Sequence, residues 1–264
     1  MEHPRNRFGW VDHSSTDQDT AKKFYSELFG WEGTDEEIPT GGYYTNFRKD
    51  GKQVAGLGGA QDPNMPSLWN SYLIVNSADE AVKAAKEAGA RLFMEPMDVM
   101  EFGRMAFLAD PSGAAFGVWE PKSHHGAEVQ GEPGSVMWME LASTDVDKAR
   151  KFYEEAFGWK WDEMDMGDGQ TYYVEGPEKQ QNSGAMQMSE NVPAGTPSHW
   201  AVYFQVGDID ASAKKATDLG ATDVSGRIDA PGIGLMHLLA DPTGATFYIM
   251  EPVEGEMDLP ERKK

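Results

Sequence analysis

The chain contains the same sequence pattern twice. The segment KFYSELFGW, which ends at Trp31, returns as KFYEEAFGW, which ends at Trp159. A second pair, DPSGAAF from Asp110 and DPTGATF from Asp241, is separated by nearly the same stretch of chain. A period close to half the chain is longer than a solenoid repeat and is typical of a duplicated domain. We therefore expect two similar halves, in which a site on one half has a counterpart on the other.

The composition limits the classes of function. The 264 residues include 44 acidic and 23 basic side chains, which give a net charge of −21, and no cysteine. A negative field repels phosphates and anionic lipids, so we expect neither a nucleic-acid partner nor a membrane partner. The absence of cysteine excludes disulfides and thiolate metal sites. The first residues lack the apolar core of a signal peptide, which favours a cytoplasmic location.

Each half divides again into two modules that read strand, helix and two or three further strands. In the first module the run Phe8–His13 predicts a strand, Thr16 is expected to cap a helix, and Gly30 ends it. Two βαβββ modules can join their sheets into one curved sheet with helices outside and a cleft on the concave face. We therefore predict an α+β fold of four βαβββ modules, paired into two curved mixed β-sheets, or half-barrels. The predicted parts are a first domain at 1–121, a linker at 122–134, a second domain at 135–253 and a charged tail at 254–264.

These motifs resemble those of the vicinal oxygen chelate superfamily, which includes glyoxalase I, extradiol dioxygenases and bleomycin-resistance proteins. The likeness rests on the two FYxxxFGW segments and the two DPxG turns, which are in phase in both halves, and it extends from about Phe8 to Pro252. The arrangement of four modules in one chain is similar to that of tandem, two-domain members. The resemblance implies the paired-module fold and a divalent ion that chelates two neighbouring oxygens of a substrate.

The resemblance also implies where that ion would bind. Members place one ligand on the first strand of a module, a second on the first strand of its partner module, and a glutamate on the last strand. These positions correspond here to Trp10, Asn70 and Gly117 in the first half and to Trp138, Ala201 and Tyr248 in the second. Since such residues do not form a cluster that suits a divalent ion, we expect no metal cofactor. The weaker alternative is a divalent metal at a displaced site, held by His199 and His237 beside Glu140.

Aromatic and acidic residues occupy the predicted clefts instead. Residues two apart on a strand share a face, so Trp10 and Asp12 point the same way, as do Trp138 and Glu140. Aromatic rings beside one carboxylate suit a flat or cationic organic molecule. The predicted ligand-binding residues are Trp10, Asp12, Asn70, Tyr72, Trp119, Trp138, Glu140, Tyr203 and Tyr248.

The sequence leaves three functions open. The first is a metal-independent protein, monomeric or homodimeric, that binds a small aromatic or cationic molecule. The second is an enzyme of the lactoylglutathione-lyase, isomerase or dioxygenase type, which uses a displaced metal or takes Asp12 or Glu140 as a catalytic base. The third is a structural or regulatory protein whose clefts are filled by their own side chains.

Several polar residues are expected to have structural roles or to be exposed to solvent, and not to take part in a site. Glu120 and Glu251 recur in the repeat but point away from the cleft, so we expect them to bond backbone or a helix end. His13 is predicted to be a polar residue at a strand end, on the face opposite Trp10. His124 and His125, in the linker, are expected to be exposed to solvent.

Overall fold

The structure of the protein is a computed structural model that describes residues 3–39, 41–60, 62, 64–167, 169–176, 181–189 and 192–253. The elements of the first half are β1 (Arg7–Ser15), α1 (Gln18–Phe29), β2 (Glu32–Glu37), β3 (Tyr43–Lys49), β4 (Lys52–Gly59), β5 (Leu68–Ile74), α2 (Ala78–Glu87), β6 (Arg91–Val99), β7 (Gly103–Ala109) and β8 (Ala115–Pro121). Those of the second half are β9 (Val136–Ser143), α3 (Val146–Phe157), β10 (Trp161–Asp165), β11 (Thr171–Glu175), β12 (Ser183–Gln187), β13 (His199–Gln205), α4 (Ile209–Asp218), β14 (Thr222–Asp223), β15 (Ile228–Ala230), β16 (Gly234–Ala240) and β17 (Thr246–Pro252).

Each half forms one curved mixed sheet. The strand order is β2-β3-β4-β1-β5-β8-β7-β6 in the first half and β10-β11-β12-β9-β13-β17-β16-β14 in the second, where β15 also pairs with β16. The first strands of the two modules, β1 and β5 or β9 and β13, pair antiparallel at the centre of each sheet. The predicted α+β fold of paired modules is therefore confirmed. Within the described ranges, no helix is long and apolar enough to cross a membrane.

The helices α1 and α3 begin and end in the same way. Asp17, rather than Thr16, is the N-cap of α1, because its carboxylate accepts the backbone N–H of Thr20 at 3.0 Å and suits the positive helix end. The expected cap at Thr16 is thus displaced by one residue, and the Thr16 hydroxyl bonds a serine ahead of β5 instead. Gly30 and Gly158 end the helices with a φ of 71°, a left-handed conformation that favours glycine.

One apolar core runs through both halves. The helices lie on the convex side of each sheet, where α1 contacts α4 and α2 contacts α3. The helix tyrosine of each half bonds the turn aspartate of the other: Tyr25 donates to Asp241 at 2.8 Å and Tyr153 donates to Asp110 at 3.2 Å. We call these crosswise contacts the joint. The sequence motifs that carry the repeat are therefore the residues that hold the halves together.

His13 adds a hydrogen bond to one side of the joint. Its side chain is on the face opposite Trp10, as expected, but it is completely buried rather than at a polar strand end. His13 Nε2 lies 2.8 Å from Asp241 Oδ2. The corresponding residue of the second half is Leu141, so the joint is not symmetric.

The repeated glutamates have the structural role that the sequence predicted. The Glu120 carboxylate accepts the backbone N–H of Ala78 at 3.0 Å, and the Glu251 carboxylate accepts that of Ile209 at 2.8 Å. Both N–H groups lie at the start of a helix, where a negative charge is favourable. The expectation for these residues is confirmed.

Candidate functional site

A carboxylate bonded by neutral donors lies on the concave face of the first sheet. Asp12, on β1, accepts hydrogen bonds from Asn70 Nδ2 and the Tyr72 hydroxyl, both at 2.9 Å. The Tyr44 hydroxyl is a third donor at 3.3 Å, and Trp10 Nε1 lies 3.4 Å from the same hydroxyl. The first cleft therefore brings together Asp12, Trp10, Asn70 and Tyr72, as the sequence predicted, and adds Tyr44.

The second cleft has the same design with fewer donors. Glu140, on β9, accepts hydrogen bonds from the Tyr203 hydroxyl at 2.9 Å and from the Tyr172 hydroxyl at 3.0 Å. Trp138 Nε1 donates to Tyr172 at 2.7 Å. The rings of Tyr203 and Tyr248 stack with their centroids 4.2 Å apart and their planes 3° from parallel. A flat aromatic surface therefore lies directly beside the carboxylate.

Burial controls the protonation of both carboxylates. It raises the pKa of Asp12 and of Glu140 above the usual range, and it outweighs the hydrogen bonds from the neighbouring side chains, which favour the ionised form. Burial, followed by the charge of Glu140, also raises the pKa of Tyr172 and Tyr203 well above the usual value, so both remain donors at neutral pH. Among the residues that the structure describes, neither carboxylate pairs with a lysine or arginine.

Sequence reasoning missed Tyr44 and Tyr172, although a signal for them exists. The two tyrosines occupy equivalent positions of the repeat, and each lies over a glycine of the adjacent strand. A Cβ at Gly56 would overlap the Tyr44 hydroxyl, and a Cβ at Gly184 would overlap that of Tyr172. Glycine at these two positions is thus what lets a tyrosine reach across its neighbour to the central strand.

The residues at the positions that the resemblance assigns to metal ligands pack against other cleft side chains or hydrogen-bond with them. A Cβ at Gly117 would overlap the Tyr72 ring, so this glycine makes room for Tyr72. Tyr248, its counterpart, stacks on Tyr203, and Asn70 gives its amide N–H to Asp12. Within the described residues, no group of three or more His, Asp or Glu side chains is placed to hold a metal ion. The donor set at these positions therefore does not fit a divalent ion.

The structure does not bring His199 and His237 together, which corrects the expectation of a displaced site. His199 is on the concave face, at its rim, and its Nδ1 bonds the Pro197 carbonyl at 2.9 Å. His237 pairs with Ile249 in the core, on the other side of the sheet, and its Nδ1 lies 2.9 Å from Asp223 Oδ2. Since neighbours along β17 alternate between faces, the sheet separates His237 from Glu140.

The linker covers part of the first cleft. We call residues 122–127 the linker strap. The His124 ring lies 4.4 Å from the Trp10 ring and 5.7 Å from the Trp119 ring, centroid to centroid, and Trp119 Nε1 donates to the His124 carbonyl at 2.9 Å. His124 is therefore half-buried, contrary to expectation, while His125 is exposed. Trp119 was predicted to line the first cleft, and in the structure it contacts the linker strap through His124.

Surface depressions occur away from both carboxylates. One of about 360 Å³ lies beside α2, between Asp79 and Pro96, and another of about 260 Å³ lies beside 192–196. In the clefts themselves the aromatic side chains pack around Asp12 and Glu140, which are both half-buried. A ligand that reaches either carboxylate therefore enters among these rings.

Comparison with known proteins identifies the family. The model of the "Glyoxalase/Bleomycin resistance protein/Dioxygenase superfamily" matches residues 7–118, and that of the "Glyoxalase-like domain" matches residues 138–250. The "Putative glyoxylase CFP32" of Mycobacterium tuberculosis is 38% identical over 92% of this chain and 94% of its own. The "Anthracycline biosynthesis protein DnrV" of Streptomyces peucetius is 37% identical over 93% of each. The chain belongs to the glyoxalase/bleomycin resistance protein/dioxygenase superfamily.

Solved structures show the same fold in other members of this superfamily. The Mn(II)-bound glyoxalase from Novosphingobium aromaticivorans superposes with a TM-score of 0.66 and 16% identity, over 97% of this chain and 84% of that one. The 2,3-dioxygenase LapB from Pseudomonas sp. KL28 gives a TM-score of 0.68 and 13% identity, over 100% and 96%. At this identity the likeness shows the fold alone. The resemblance to a tandem, two-domain superfamily member is confirmed.

Proposed function

We propose that the protein binds a small aromatic cation, without a metal ion, at a tyrosine-bonded carboxylate. One observation carries the proposal: Glu140 is a partly buried carboxylate that has hydroxyl donors but no lysine or arginine partner among the described residues. Placing a negative charge in such surroundings is costly unless it is paired. A protonated amine would supply the missing charge.

The rings beside Glu140 support an aromatic ligand. The stacked rings of Tyr203 and Tyr248 offer a planar face. Trp138 donates a hydrogen bond to the Tyr172 hydroxyl, which in turn donates to Glu140. Aromatic faces attract both planar rings and cations, by about 0.5–2 kcal/mol for each contact. The name of the Streptomyces relative, an anthracycline biosynthesis protein, is consistent with an aromatic ligand, since anthracyclines are planar aromatic compounds.

An acid–base enzyme is the second candidate. The raised pKa of Glu140 favours it, because a carboxylate whose pKa approaches the working pH transfers protons more effectively. Asp12 has the same property in the first cleft. Turnover of an aromatic amine, lost when Glu140 is replaced by glutamine while the ligand still binds, would favour this function over binding alone.

Titration with a planar cationic dye tests the binding proposal. We expect proflavine to bind to the purified protein and acridone, a neutral ring system of similar shape, to bind more weakly. The titration is run at about 0.3 M salt, so that the general negative field of the protein is screened. E140Q keeps the size of the side chain and removes its charge, and should weaken proflavine binding tenfold or more, or about 1.4 kcal/mol. Equal binding of proflavine and acridone by the wild-type protein would contradict the proposal.

The other expectations from the sequence stay predictions. They are a cytoplasmic location, a monomer or homodimer, no nucleic-acid or membrane partner and no metal cofactor. Metal analysis of the purified protein tests the last of these, since stoichiometric zinc, manganese, nickel or iron would contradict a metal-independent site.

A further inference from the structure

We propose that the two clefts have different roles: the linker strap occupies the first cleft, and one ligand molecule per chain binds in the second. This inference rests on the proposed function and assigns it to the cleft around Glu140. It makes the first cleft a site that is filled by the protein's own chain.

The linker strap is held in the first cleft at both ends. The His124 backbone N–H bonds the Phe102 carbonyl at 3.1 Å, in the hairpin between β6 and β7. At the other end, the Ala127 N–H bonds the Gly9 carbonyl at 2.8 Å, and the Ala127 carbonyl accepts a hydrogen bond from His3 Nε2 at 2.6 Å. Ala127 itself is buried in a cluster with Trp10. A segment anchored in this way is part of the cleft wall rather than a free linker.

The His124 side chain is placed where a ligand ring would go. Its imidazole packs edge-on against Trp10 and Trp119, two residues that the sequence assigned to ligand binding. His124 Nε2 is buried and has no hydrogen-bond partner among the described residues. Burial lowers the pKa of His124 to about 4, so the ring is neutral at physiological pH and fills the space as an aromatic group.

The number of hydrogen bonds that each carboxylate accepts also favours the second cleft as the binding site. An ionised carboxylate has about four acceptor positions. Within the part of the chain that the structure describes, Asp12 uses three of them for Asn70, Tyr72 and Tyr44, whereas Glu140 uses two. Glu140 therefore keeps more capacity for a donor from outside the protein.

The residues around the carboxylates differ as well. The Trp10 side chain is 4% exposed, while Trp138 is only half-buried. Where the first cleft has Asn70 the second has Ala201, which has no polar group to satisfy Glu140. The second cleft is thus the more accessible and the less satisfied of the two.

The sequence beyond the second cleft does not repeat the strap. When the two DPxG turns are aligned, His124 corresponds to Gly255 and Ala127 to Asp258. Glycine has no ring to insert between two aromatic side chains. Both residues lie outside the described ranges.

Counting binding sites tests the division of roles. Equilibrium dialysis with proflavine at saturating concentration should give one site per wild-type chain and at least tenfold weaker binding for E140Q. H124A removes the ring that fills the first cleft and should raise the count to two. H125A removes the same side chain from the exposed neighbouring position and should leave the count at one. The double variant H124A/E140Q should keep a single site, in the first cleft.

The outcomes separate this inference from the proposed function. Two equivalent sites in the wild-type protein, or a single site that survives in E140Q, would overturn the division of roles while leaving aromatic-cation binding intact. A count that stays at one in a folded H124A would overturn the role of His124 in closing the first cleft. The absence of proflavine binding in every variant would overturn the proposed function itself. The wild-type and E140Q counts decide the location of the site even where H124A fails to fold.

Discussion

The two halves of the molecule are most alike where they touch each other and least alike in their clefts. At the joint, Tyr25 bonds Asp241 and Tyr153 bonds Asp110, with the same motifs on both sides. In the clefts, by contrast, Gly117 stands opposite Tyr248 in the alignment of the halves. A joint residue is constrained by both halves at once, whereas a cleft residue is constrained only by its own sheet and its ligand. The cleft is therefore where two copies can acquire different roles.

Contacts between ionisable side chains are the exception to the likeness at the joint. The His13–Asp241 pair corresponds to Leu141 and Asp110 in the other copy. A second buried pair, Arg7 and Glu175 at 3.0 Å, also spans the halves. Since each pair occurs in one copy and not in the other, single substitutions can test the comparison.

The largest expected effect is on stability when a turn aspartate is lost. D241A leaves the buried His13 and Tyr25 side chains without their shared hydrogen-bond partner, so we expect it to lower the free energy of unfolding by about 2–4 kcal/mol. D110A removes the same kind of turn and the same tyrosine bond but strands no ionisable partner, and should cost about 1–2 kcal/mol less. Urea denaturation of both variants measures the difference. Equal losses would mean that the His13 contact adds nothing to the joint.

The pKa values of Asp241 and Asp110 differ, which explains why the two substitutions are expected to have unequal effects on stability. Burial alone would raise the pKa of Asp241, but the hydrogen bond and charge of His13, with the bonds from Thr243 and Tyr25, bring it below its usual value. Burial keeps the pKa of Asp110 above its usual value, because it outweighs the hydrogen bonds there. The same turn therefore favours the ionised form in one half and opposes it in the other.

The next effect is a pH dependence that originates at Glu175. Burial raises its pKa from 4.5 to about 7 despite the charge of Arg7. Between these pH values the folded protein retains a proton that the unfolded chain releases. This group's contribution to stability is therefore complete below about pH 4.5 and decreases by roughly 2–3 kcal/mol as the pH rises to about 7.

E175Q isolates this contribution, since glutamine does not titrate. Thermal unfolding between about pH 4.5 and pH 7 should show a flatter profile for E175Q than for the wild-type protein. E155Q, at an exposed position on α3, removes the same formal charge and should retain the wild-type slope. A wild-type slope in E175Q would show that the buried pair does not titrate in this window.

The smallest effect compares the missing hydroxyl in the two clefts. Among the described residues, Y172F leaves Glu140 with Tyr203 as its one remaining donor, while Y44F leaves Asp12 with two donors and removes only its longest bond. We expect the pKa of Glu140 to rise by about one unit in Y172F and that of Asp12 to rise less in Y44F. Carboxyl NMR titration measures both. A larger rise at Asp12 would reverse the order in which the clefts satisfy their carboxylates.

The sequence predicts well what depends on local periodicity and on the repeat. Strand alternation correctly placed Trp10 with Asp12 on one face and His13 on the other, and it assigned the repeated Glu120 and Glu251 to helix ends. These features need only the position of a residue within its own element. The fold followed because the motif order matched in both halves.

What the sequence did not predict depends on contacts between distant elements. Tyr44 on β3 reaches across Gly56 on the adjacent strand β4 to Asp12 on β1, and no local pattern predicts that direction of the side chain. His124 was read as exposed because a polar linker gives no sign that it folds back into a cleft. The partner of His13, Asp241, lies near the other end of the chain.

The crosswise joint relates the two halves of one chain as the two subunits of a homodimer are related, by reciprocal contacts. Each half holds an aspartate that accepts a hydrogen bond from the other half's tyrosine, which is the self-complementary arrangement of an isologous, twofold contact. Two identical copies of an unfused half would satisfy the same bonds, whereas one copy alone would leave Tyr25 or Tyr153 without its aspartate. Because both halves lie on one chain, the residues of one cleft can change without the same change in the other, while the bonds of the joint are kept.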